Sequence, residues 1–325
     1  MMEVSENALN IITALTYRGI GRAWVVTRLQ RVESASTIVN FLNKDSKEGR
    51  VIPNSEFEER KGRVRSQINR LAENLDGVVA LGDSGFPPFR GAVKNSEKPV
   101  VLFYRGDLSL LDATNNNVAV IGILDPDDYT ERVERKIVSG LVRRGATIVS
   151  GLALGCDSIA HKQALLSGGK TVAILPSPID DILPQSNKDL AEDIVRNSGL
   201  LISEYYEKAK SRMEMSSRYQ DRDRLQALFS DCVVLSASYS KNDLGNDSGS
   251  RHAMEYAASY SIPRAVLYNV EVNKENPKYD LNRQLIKEDS KVIIASEEKE
   301  RESVDKILSM QSNATNLQSA QRDLF

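Results

Sequence analysis

From residue 118 onward, short runs of β-branched and aliphatic residues alternate with longer amphipathic segments, and this alternation constrains the fold most strongly. Such runs are typical of buried strands, and apolar residues spaced three and four apart are typical of helices. Strands that alternate with helices form βαβ units, whose strands pair in parallel and bury both faces of the sheet. The sequence therefore predicts an α/β fold with a Rossmann-like, doubly wound and mostly parallel sheet.

The predicted elements divide the chain into three parts. Strands are expected at Val118–Gly122, Ala146–Val149, Thr171–Leu175, Leu200–Ser203, Cys232–Leu235 and Ala265–Tyr268. Helices are expected at Thr130–Arg143, Ser158–Leu166 and Lys188–Arg196, followed by a last strand and helix at Val292–Ala295 and Arg301–Met310. Residues 5–75 show only helical spacing. We therefore expect an N-terminal helical module at 1–75, a Rossmann-like core at 76–310 and a polar tail at 311–325.

The overall charge does not point to a partner. The 325 residues include 43 Lys and Arg and 45 Asp and Glu, a net charge of −2. The field of the whole molecule therefore does not attract nucleic acid. The segment Lys208–Arg224 holds six cations and three acids, which makes a local basic patch. On charge alone, that segment is better explained as a solvated helix face.

The rare residue types exclude several classes of protein. Cys156 and Cys232 are the two cysteines, and two thiols in so long a chain do not make a disulfide framework. With two histidines, His161 and His252, and no close cysteine pair, we expect neither a metal site nor a cofactor. Apolar runs are far shorter than the roughly 20 residues of a membrane helix, and the N-terminus lacks a secretory pattern. We therefore expect a cytoplasmic protein without membrane contact.

Small residues follow most of the predicted strands, as at Gly122, Ser150-Gly151 and Ser236-Ala237-Ser238. In an open α/β sheet this carboxyl edge is where ligands bind, because the loops open onto helix N-termini with unpaired N–H groups. Helix N-termini attract anions, so the expected ligand carries phosphate or carboxylate groups. A tight turn explains any single loop equally well. The set as a whole favours ligand binding.

The most informative loop is Ser150–His161, with the sequence SGLALGCDSIAH. Asp157 or Ser158 can cap the following helix, which would leave main-chain N–H groups free to hold a phosphate. The loop is neither a Walker A loop nor the dinucleotide motif G-x-G-x-x-G. Cys156 and His161 are better explained by packing than by catalysis.

The same loop resembles, position for position, the S-G-x-A-x-G-x-D-x-x-A-H motif of the DprA/Smf family of DNA-processing proteins. Further motifs similar to that family follow in register over roughly residues 76–268, at Gly168–Leu175 (GGKTVAIL), Leu201–Tyr205 (LISEY), Arg222–Ala227 (RDRLQA) and Ser248–Ser250 (SGS). Two departures concern charge. Leu124 stands where the family has an Arg after its first strand, and Asp223 stands where Asn is typical.

The resemblance implies that single-stranded DNA is bound through its phosphate backbone and delivered to a RecA-type recombinase, without turnover of a substrate. It also implies a homodimer, because the family pairs through its core domain. Phosphate contacts are expected from Arg222 and Arg224, with Lys170 as an addition. The residues expected to form a cradle for the backbone are Gly122, Ser150, Gly151, Gly155, Asp157, Ser248, Gly249 and Ser250. No catalytic residue is expected.

Two other functions are left open. Asn246–Ser250 followed by Glu255 is distantly similar to the phosphoribohydrolase motif P-G-G-x-G-T-x-x-E, although the glycines and the threonine are missing. The first alternative is therefore an enzyme of the phosphoribohydrolase type. The second is a regulatory module that binds a small nucleotide at the same edge of the sheet. Arg222 is explained equally well as part of a surface ion pair. Within the DNA-binding class, the sequence does not separate natural transformation from recombination or DNA defence.

Overall fold

Ten strands form one sheet in the computed structural model, which describes residues 3–29, 31–241 and 249–309. The strands are β1 (Glu3–Val4), β2 (Gly77–Ala80), β3 (Val101–Gly106), β4 (Asn117–Ile121), β5 (Thr147–Ser150), β6 (Thr171–Leu175), β7 (Leu200–Ser203), β8 (Cys232–Leu235), β9 (Arg264–Leu267) and β10 (Ile293–Ala295). The helices are α1 (Glu6–Leu15), α2 (Arg22–Arg28), α3 (Ala35–Asp45), α4 (Asn54–Asn69), α5 (Asp128–Arg143), α6 (Cys156–Leu166), α7 (Lys188–Arg196), α8 (Arg212–Leu228), α9 (Ser250–Ser259), α10 (Val270–Asn273) and α11 (Asp280–Glu288). Residues 300–309 are also helical.

The strand order is β1-β2-β3-β7-β6-β5-β4-β8-β9-β10. Strand β3 is antiparallel to both of its neighbours, and the other neighbouring pairs are parallel. The mostly parallel sheet that the sequence predicts is thereby confirmed. The chain moves from β4 outward to one side through β5, β6 and β7, and to the other side through β8 and β9. In open α/β sheets, a crevice forms outside the carboxyl ends of the strands at such a reversal.

The sheet buries both of its faces. In β4, Val118 and Val120 belong to an apolar cluster with α5, α6 and residues 300–309. The alternate residues Ala119 and Ile121 belong to a cluster with α8, α9 and α11. Successive side chains of a strand point to opposite faces. The doubly wound arrangement is therefore confirmed, and it explains why the strands read as continuous apolar runs.

The predicted and observed bounds agree closely. Three predicted strands, now β6, β7 and β8, have the predicted bounds, and the others shift at one end or both by one residue. Helices α5 and α6 begin two residues earlier than predicted. Asp127 caps α5 because its side chain accepts the N–H of Thr130. Gly155 precedes α6 with φ at 67°, a conformation that favours glycine.

The N-terminal helices share their apolar core with the sheet. Ile11, Leu42 and Phe57 lie in one cluster with Leu175 of β6 and Leu201 of β7. Strand β1 also joins the sheet by pairing with β2; two residues carry no periodicity, so the sequence did not predict it. The division of the chain at residue 75 stays a prediction. The predicted tail at 311–325 lies outside the described residues.

The described residues contain neither a membrane-spanning helix nor a cluster of metal-ligating side chains. No helix within 3–29, 31–241 and 249–309 is long and apolar enough to cross a membrane. Over the same ranges, no group of three or more His, Cys, Asp or Glu side chains is placed to hold a metal ion.

Candidate functional site

A cleft of about 640 Å³ lies at the carboxyl edge of the sheet, beside the point where the strand order reverses. Its walls come from the loops after β4, β5, β6 and β8, from one face of α8 and from the start of α9. Six of the predicted site residues line it together: Gly122, Gly151, Asp157, Arg222, Gly249 and Ser250. The cleft thus brings together residues that are up to 128 positions apart in the chain.

Two glycines are needed because other side chains approach the backbone there. A Cβ on Gly151 would lie 1.5 Å from Nη1 of Arg222, and a Cβ on Gly122 would lie 2.5 Å from Sγ of Cys156. The absence of a side chain at Gly151 therefore lets the Arg222 guanidinium lie against the loop after β5. Gly155 shapes the same loop, since its Cβ would meet the carbonyl oxygen of Ile123 at 2.3 Å, but it does not line the cleft.

Asp157 uses the amide hydrogens of its own loop. Its Oδ2 accepts the N–H of Gly151 at 3.2 Å and of Ala153 at 3.3 Å, and lies 3.3 Å from Nη1 of Arg222. This corrects the prediction that Asp157 or Ser158 caps α6 and leaves those N–H groups free. A carboxylate that is 5% exposed needs several donors, and the loop supplies them.

The start of α9 is tied to the loop after β4. The Ser250 hydroxyl donates to the carbonyl oxygen of Gly122 at 2.7 Å. Gly249 is the residue before α9, and Gly249 and Ser250 both line the cleft, so that helix begins at its wall. Ser248, the third predicted residue of this motif, lies outside the described residues.

Asp223 and Arg222 are neighbours on α8 and both line the cleft. Nε of Arg222 lies 3.5 Å from Oδ1 of Asp223. Burial raises the pKa of Asp223 to about 7; the Arg222 guanidinium opposes this shift and the Asp157 carboxylate adds to it. Near neutral pH the cleft therefore contains a carboxyl group that can gain or lose a proton.

Arg224 requires a correction, because it points away from the cleft. It follows Arg222 by two positions, which turns its side chain by about 200° around the helix. The side chain is 1% exposed, and Nη2 lies 2.7 and 2.6 Å from the two carboxylate oxygens of Glu204. Arg22 of α2 contacts the same carboxylate at 3.5 Å. Arg224 therefore belongs to an ion-pair network that joins α8 to the N-terminal helices.

Two more predicted residues do not reach the cleft. Ser150 is fully buried, and its hydroxyl donates to the carbonyl oxygen of Val120. Lys170 precedes β6 and so lies at the amino edge, where Nζ donates to the carbonyl oxygen of Asn197 at 2.9 Å. A strand of five residues separates that edge from the cleft by about 17 Å. Ser150 supports the sheet from within, and Lys170 cannot take part in the cleft.

The sequence did not indicate several residues of the cleft. Tyr219 and Gln226 line it together with Arg222 and Asp223. The spacing of these four positions places them on one face of α8. This helical spacing could have predicted that Tyr219 and Gln226 share a face with Arg222. The family motif begins at Arg222, so it indicates only the charged residues of that face. Leu124 also lines the cleft, at the position where the family has an Arg.

Two residues near the cleft, Cys156 and His161, have reactive side chains that are fully buried in the core. His161 is fully buried, and its Nδ1 lies 2.6 Å from the Thr171 hydroxyl. Burial, together with the Arg222 charge, lowers the pKa of His161 to about 3. Burial raises the pKa of the Cys156 thiol well above its usual value. Both residues are uncharged at neutral pH, as their interpretation as packing residues requires.

The fold and the cleft define a Rossmann-like α/β protein with a cleft at the reversal of strand order. The family model described as DNA recombination-mediator protein A matches residues 77–304. The chain therefore belongs to this family, the DprA/Smf family, as the motifs around the cleft predict.

The curated relatives match this chain over part of their length. Protein Smf of Synechocystis is 41% identical over 109 residues, which cover 33% of this chain and 27% of that protein. DNA processing protein DprA of Streptococcus pneumoniae is 40% identical over 109 residues, which cover 34% and 37%. Protein Smf of Escherichia coli is 36% identical over 142 residues, which cover 44% and 37%. The matched segments thus span well under half of these three relatives.

Two solved structures are similar to this fold over most of the chain. DNA processing protein A of Streptococcus pneumoniae has a TM-score of 0.65 and 22% identity, and the match covers 90% of this chain and 95% of that one. This likeness concerns the fold. A structure of DNA processing protein A of Helicobacter pylori, which addresses the single-stranded DNA binding mode of that protein, has a TM-score of 0.53 and 29% identity and covers 65% and 88%.

Proposed function

We propose that this protein binds single-stranded DNA in the cleft and does so without catalysing a reaction. The observation that carries the proposal is the convergence of Gly122, Gly151, Arg222, Gly249 and Ser250 on one cleft, in a chain of the DNA recombination-mediator family. The similarity to the Helicobacter pylori protein, whose structure concerns single-stranded DNA binding, supports the same ligand.

The chemistry of the cleft is suited to phosphodiesters at its edge. Arg222 supplies a guanidinium, and the start of α9 supplies amide N–H groups, both of which bind phosphate oxygens without reading the base sequence. Part of the Arg222 charge is already balanced by Asp157 at 3.3 Å. We therefore expect modest affinity and a shallow dependence on salt, since each phosphate contact on a single strand contributes a slope of about −0.7.

The environment of the possible nucleophiles supports a role without chemistry. Cys156 and His161 are both buried, and burial keeps both uncharged. Glu255, the acid of the distant phosphoribohydrolase similarity, has an exposed side chain paired with Arg251 and does not line the cleft. None of these three residues offers a base or nucleophile to a bound nucleotide.

The proposal is tested by measuring the affinity of the purified protein for a labelled oligonucleotide over a range of salt concentrations. Arg222→Gln should reduce the slope of log K against log salt by about 0.7. Lys170→Gln removes an equal charge at the opposite edge of the sheet, so it serves as the matched control and should leave the slope unchanged. No binding by the wild-type protein at low salt would reject the function.

We further propose that the bound strand is passed to a RecA-type recombinase in the cytoplasm and that the protein is a homodimer. The family description, a recombination mediator, supports the first part. Light scattering should give twice the mass of one chain. A purified recombinase should associate with the immobilised protein more strongly when oligonucleotide is present; a monomeric mass or no association would reject the respective part.

A further inference from the structure

A fully buried acid lies beside the residues that hold one wall of the cleft. Glu134 of α5 is 0% exposed, and neither of its carboxylate oxygens has a hydrogen-bond partner among the residues that the structure describes. The polar groups beside it are the Cys156 thiol and the Ser236 hydroxyl, and that buried hydroxyl also has no partner there. Buried polar groups are nearly always paired, because an unpaired one forfeits its hydrogen bonds to water. The acid and the hydroxyl are therefore suited to bond to each other.

The two neighbours of Glu134 also hold the loop after β4. The N–H of Ser236 donates to the carbonyl oxygen of Ile121 at 2.8 Å, and the N–H of Cys156 donates to that of Ile123 at 3.1 Å. Between these two residues, a Cβ on Gly122 would lie only 2.5 Å from Sγ of Cys156. Ile121, Gly122 and Ile123 all line the cleft. A movement of Ser236 or Cys156 would therefore change the shape of this wall.

The surroundings of Glu134 favour its uncharged form. Arg135 on the same helix is already paired with Glu131 at 2.6 Å. Asp157 at the start of α6 would repel a second negative charge, and burial by itself opposes ionisation. Ionisation would therefore place a charge in the core that no cation of the described ranges is free to balance. The other titratable groups that face α5 are the Cys156 thiol, the Tyr279 hydroxyl, which hydrogen-bonds with Thr130, and three acids that pair with arginines at the ends of the helix: Glu297 with Arg132, Glu300 with Arg143 and Asp305 with Arg144.

We propose that Glu134 is a positioning residue for the cleft: while uncharged, it bonds to Ser236 and packs against Cys156, and so fixes the loop after β4 in the arrangement that binds the strand. When Glu134 loses its proton, the buried charge must move toward water, and the loop moves with it. Alkaline conditions should therefore weaken DNA binding. This regulation rests on the proposed function, because its consequence is a change in affinity for DNA.

The first measurement follows the loop in the absence of DNA. Isotope labelling of the glycines lets NMR observe the amide of Gly122 as the pH is raised, in the Asp223→Asn variant, so that no second carboxyl group of the cleft titrates nearby. Burial raises the pKa of Glu134 to about 8, so the signal should shift with its midpoint near that pH. Adding Glu134→Gln, which keeps the shape and cannot ionise, should abolish the shift. Adding Glu131→Gln, on the same helix and partly exposed, is the matched control and should leave it unchanged.

The second measurement is the affinity of the same variants for a labelled oligonucleotide. The Asp223→Asn variant should bind about tenfold more weakly at pH 9 than at pH 7, because a group whose pKa is about 8 is mostly protonated at the lower pH and mostly ionised at the higher one. With Glu134→Gln added, the affinity should stay constant over this range. Glu134→Leu cannot bond to Ser236, so it should bind severalfold more weakly at both pH values.

The two measurements separate this inference from the proposed function. An affinity that is independent of pH overturns the role of Glu134 and leaves DNA binding standing. A Gly122 signal that titrates, with no binding of the oligonucleotide at any pH, supports the coupling of Glu134 to the cleft and rejects the proposed function. The absence of both titration and binding rejects both. Where Asp223→Asn does not fold, the wild type compared with Glu134→Gln decides the question, since the step near pH 8 should be present in the wild type and missing in the variant.

Discussion

The guanidinium of Arg224 contacts both carboxylate oxygens of Glu204, at 2.7 and 2.6 Å, with 1% of the arginine exposed. The motif that contains Arg224 therefore serves two purposes. Arg222 faces the ligand cleft, whereas Arg224 fixes α8 against the strand end that carries Glu204 and against the N-terminal helices.

Replacement of Arg224 should therefore affect stability more than binding. Arg224→Met leaves the Glu204 carboxylate without its main partner, and breaking a buried pair costs about 3–5 kcal/mol of the free energy of unfolding. Urea denaturation measures this loss. The double variant Arg224→Met with Glu204→Leu should recover part of it, because no buried charge is left unpaired. A smaller salt slope of DNA binding in folded Arg224→Met would contradict the assignment.

Gly151→Ala should weaken DNA binding although it removes no charged group. The new Cβ would lie 1.5 Å from Nη1 of Arg222, so the guanidinium must move out of its place between the loop and Asp157. Overpacking of this kind costs about 1–3 kcal/mol of stability. Gly62→Ala in α4, where a Cβ meets open space, is the control; it should leave affinity unchanged and raise stability by up to about 1 kcal/mol.

DNA binding should strengthen as the pH falls through neutrality. Burial raises the pKa of Asp223 to about 7, and its ionised form repels a phosphate near Arg222. If binding favours the protonated form, affinity should rise about tenfold between pH 8 and pH 6. Asp223→Asn removes the charge, so its affinity should be high and nearly constant over this range. A wild-type affinity independent of pH would contradict the role of Asp223.

Glu134 of α5 should make the fold less stable at higher pH. Burial raises its pKa to about 8, while the nearby Cys156 thiol and Ser236 hydroxyl lower it. The folded protein therefore keeps a proton that the unfolded chain releases above its ordinary pKa, and the stabilisation is lost as pH rises toward 8. Compared with Glu134→Gln, the wild type should lose roughly 2–3 kcal/mol between about pH 5 and pH 7. Parallel stability curves for the two proteins would contradict this assignment.

The strands and the loop glycines were predictable because their signals are local. A buried parallel strand must be apolar throughout, so Thr171–Leu175 and Cys232–Leu235 could be read with their bounds. Gly151 follows such a strand, and its position at the carboxyl edge follows from the fold class. Lys170 directly precedes β6, so the strand assignment alone places it at the opposite, amino edge of the sheet. The family motif spans both ends of the strand and does not distinguish the two edges.

The directions of side chains were not predictable in the same way. Whether Arg222 or Arg224 faces the cleft depends on how α8 is rotated against the sheet, which long-range packing decides. Asp157 had two sets of N–H groups within reach, those of its own helix and those of the loop before it. The choice depends on the conformation of Gly155, with φ at 67°. A residue pattern therefore predicts neither which arginine faces the cleft nor which N–H groups Asp157 binds.

The carboxylate of Asp157 acts as a tethered stand-in for the anion that the loop after β5 would otherwise attract. The phosphates of an incoming DNA strand compete with this carboxylate for the same N–H groups. Each new contact therefore adds little to the binding free energy. Capture is therefore expected to be readily reversible. In the proposed transfer of the strand to a recombinase, easy release is as useful as tight binding.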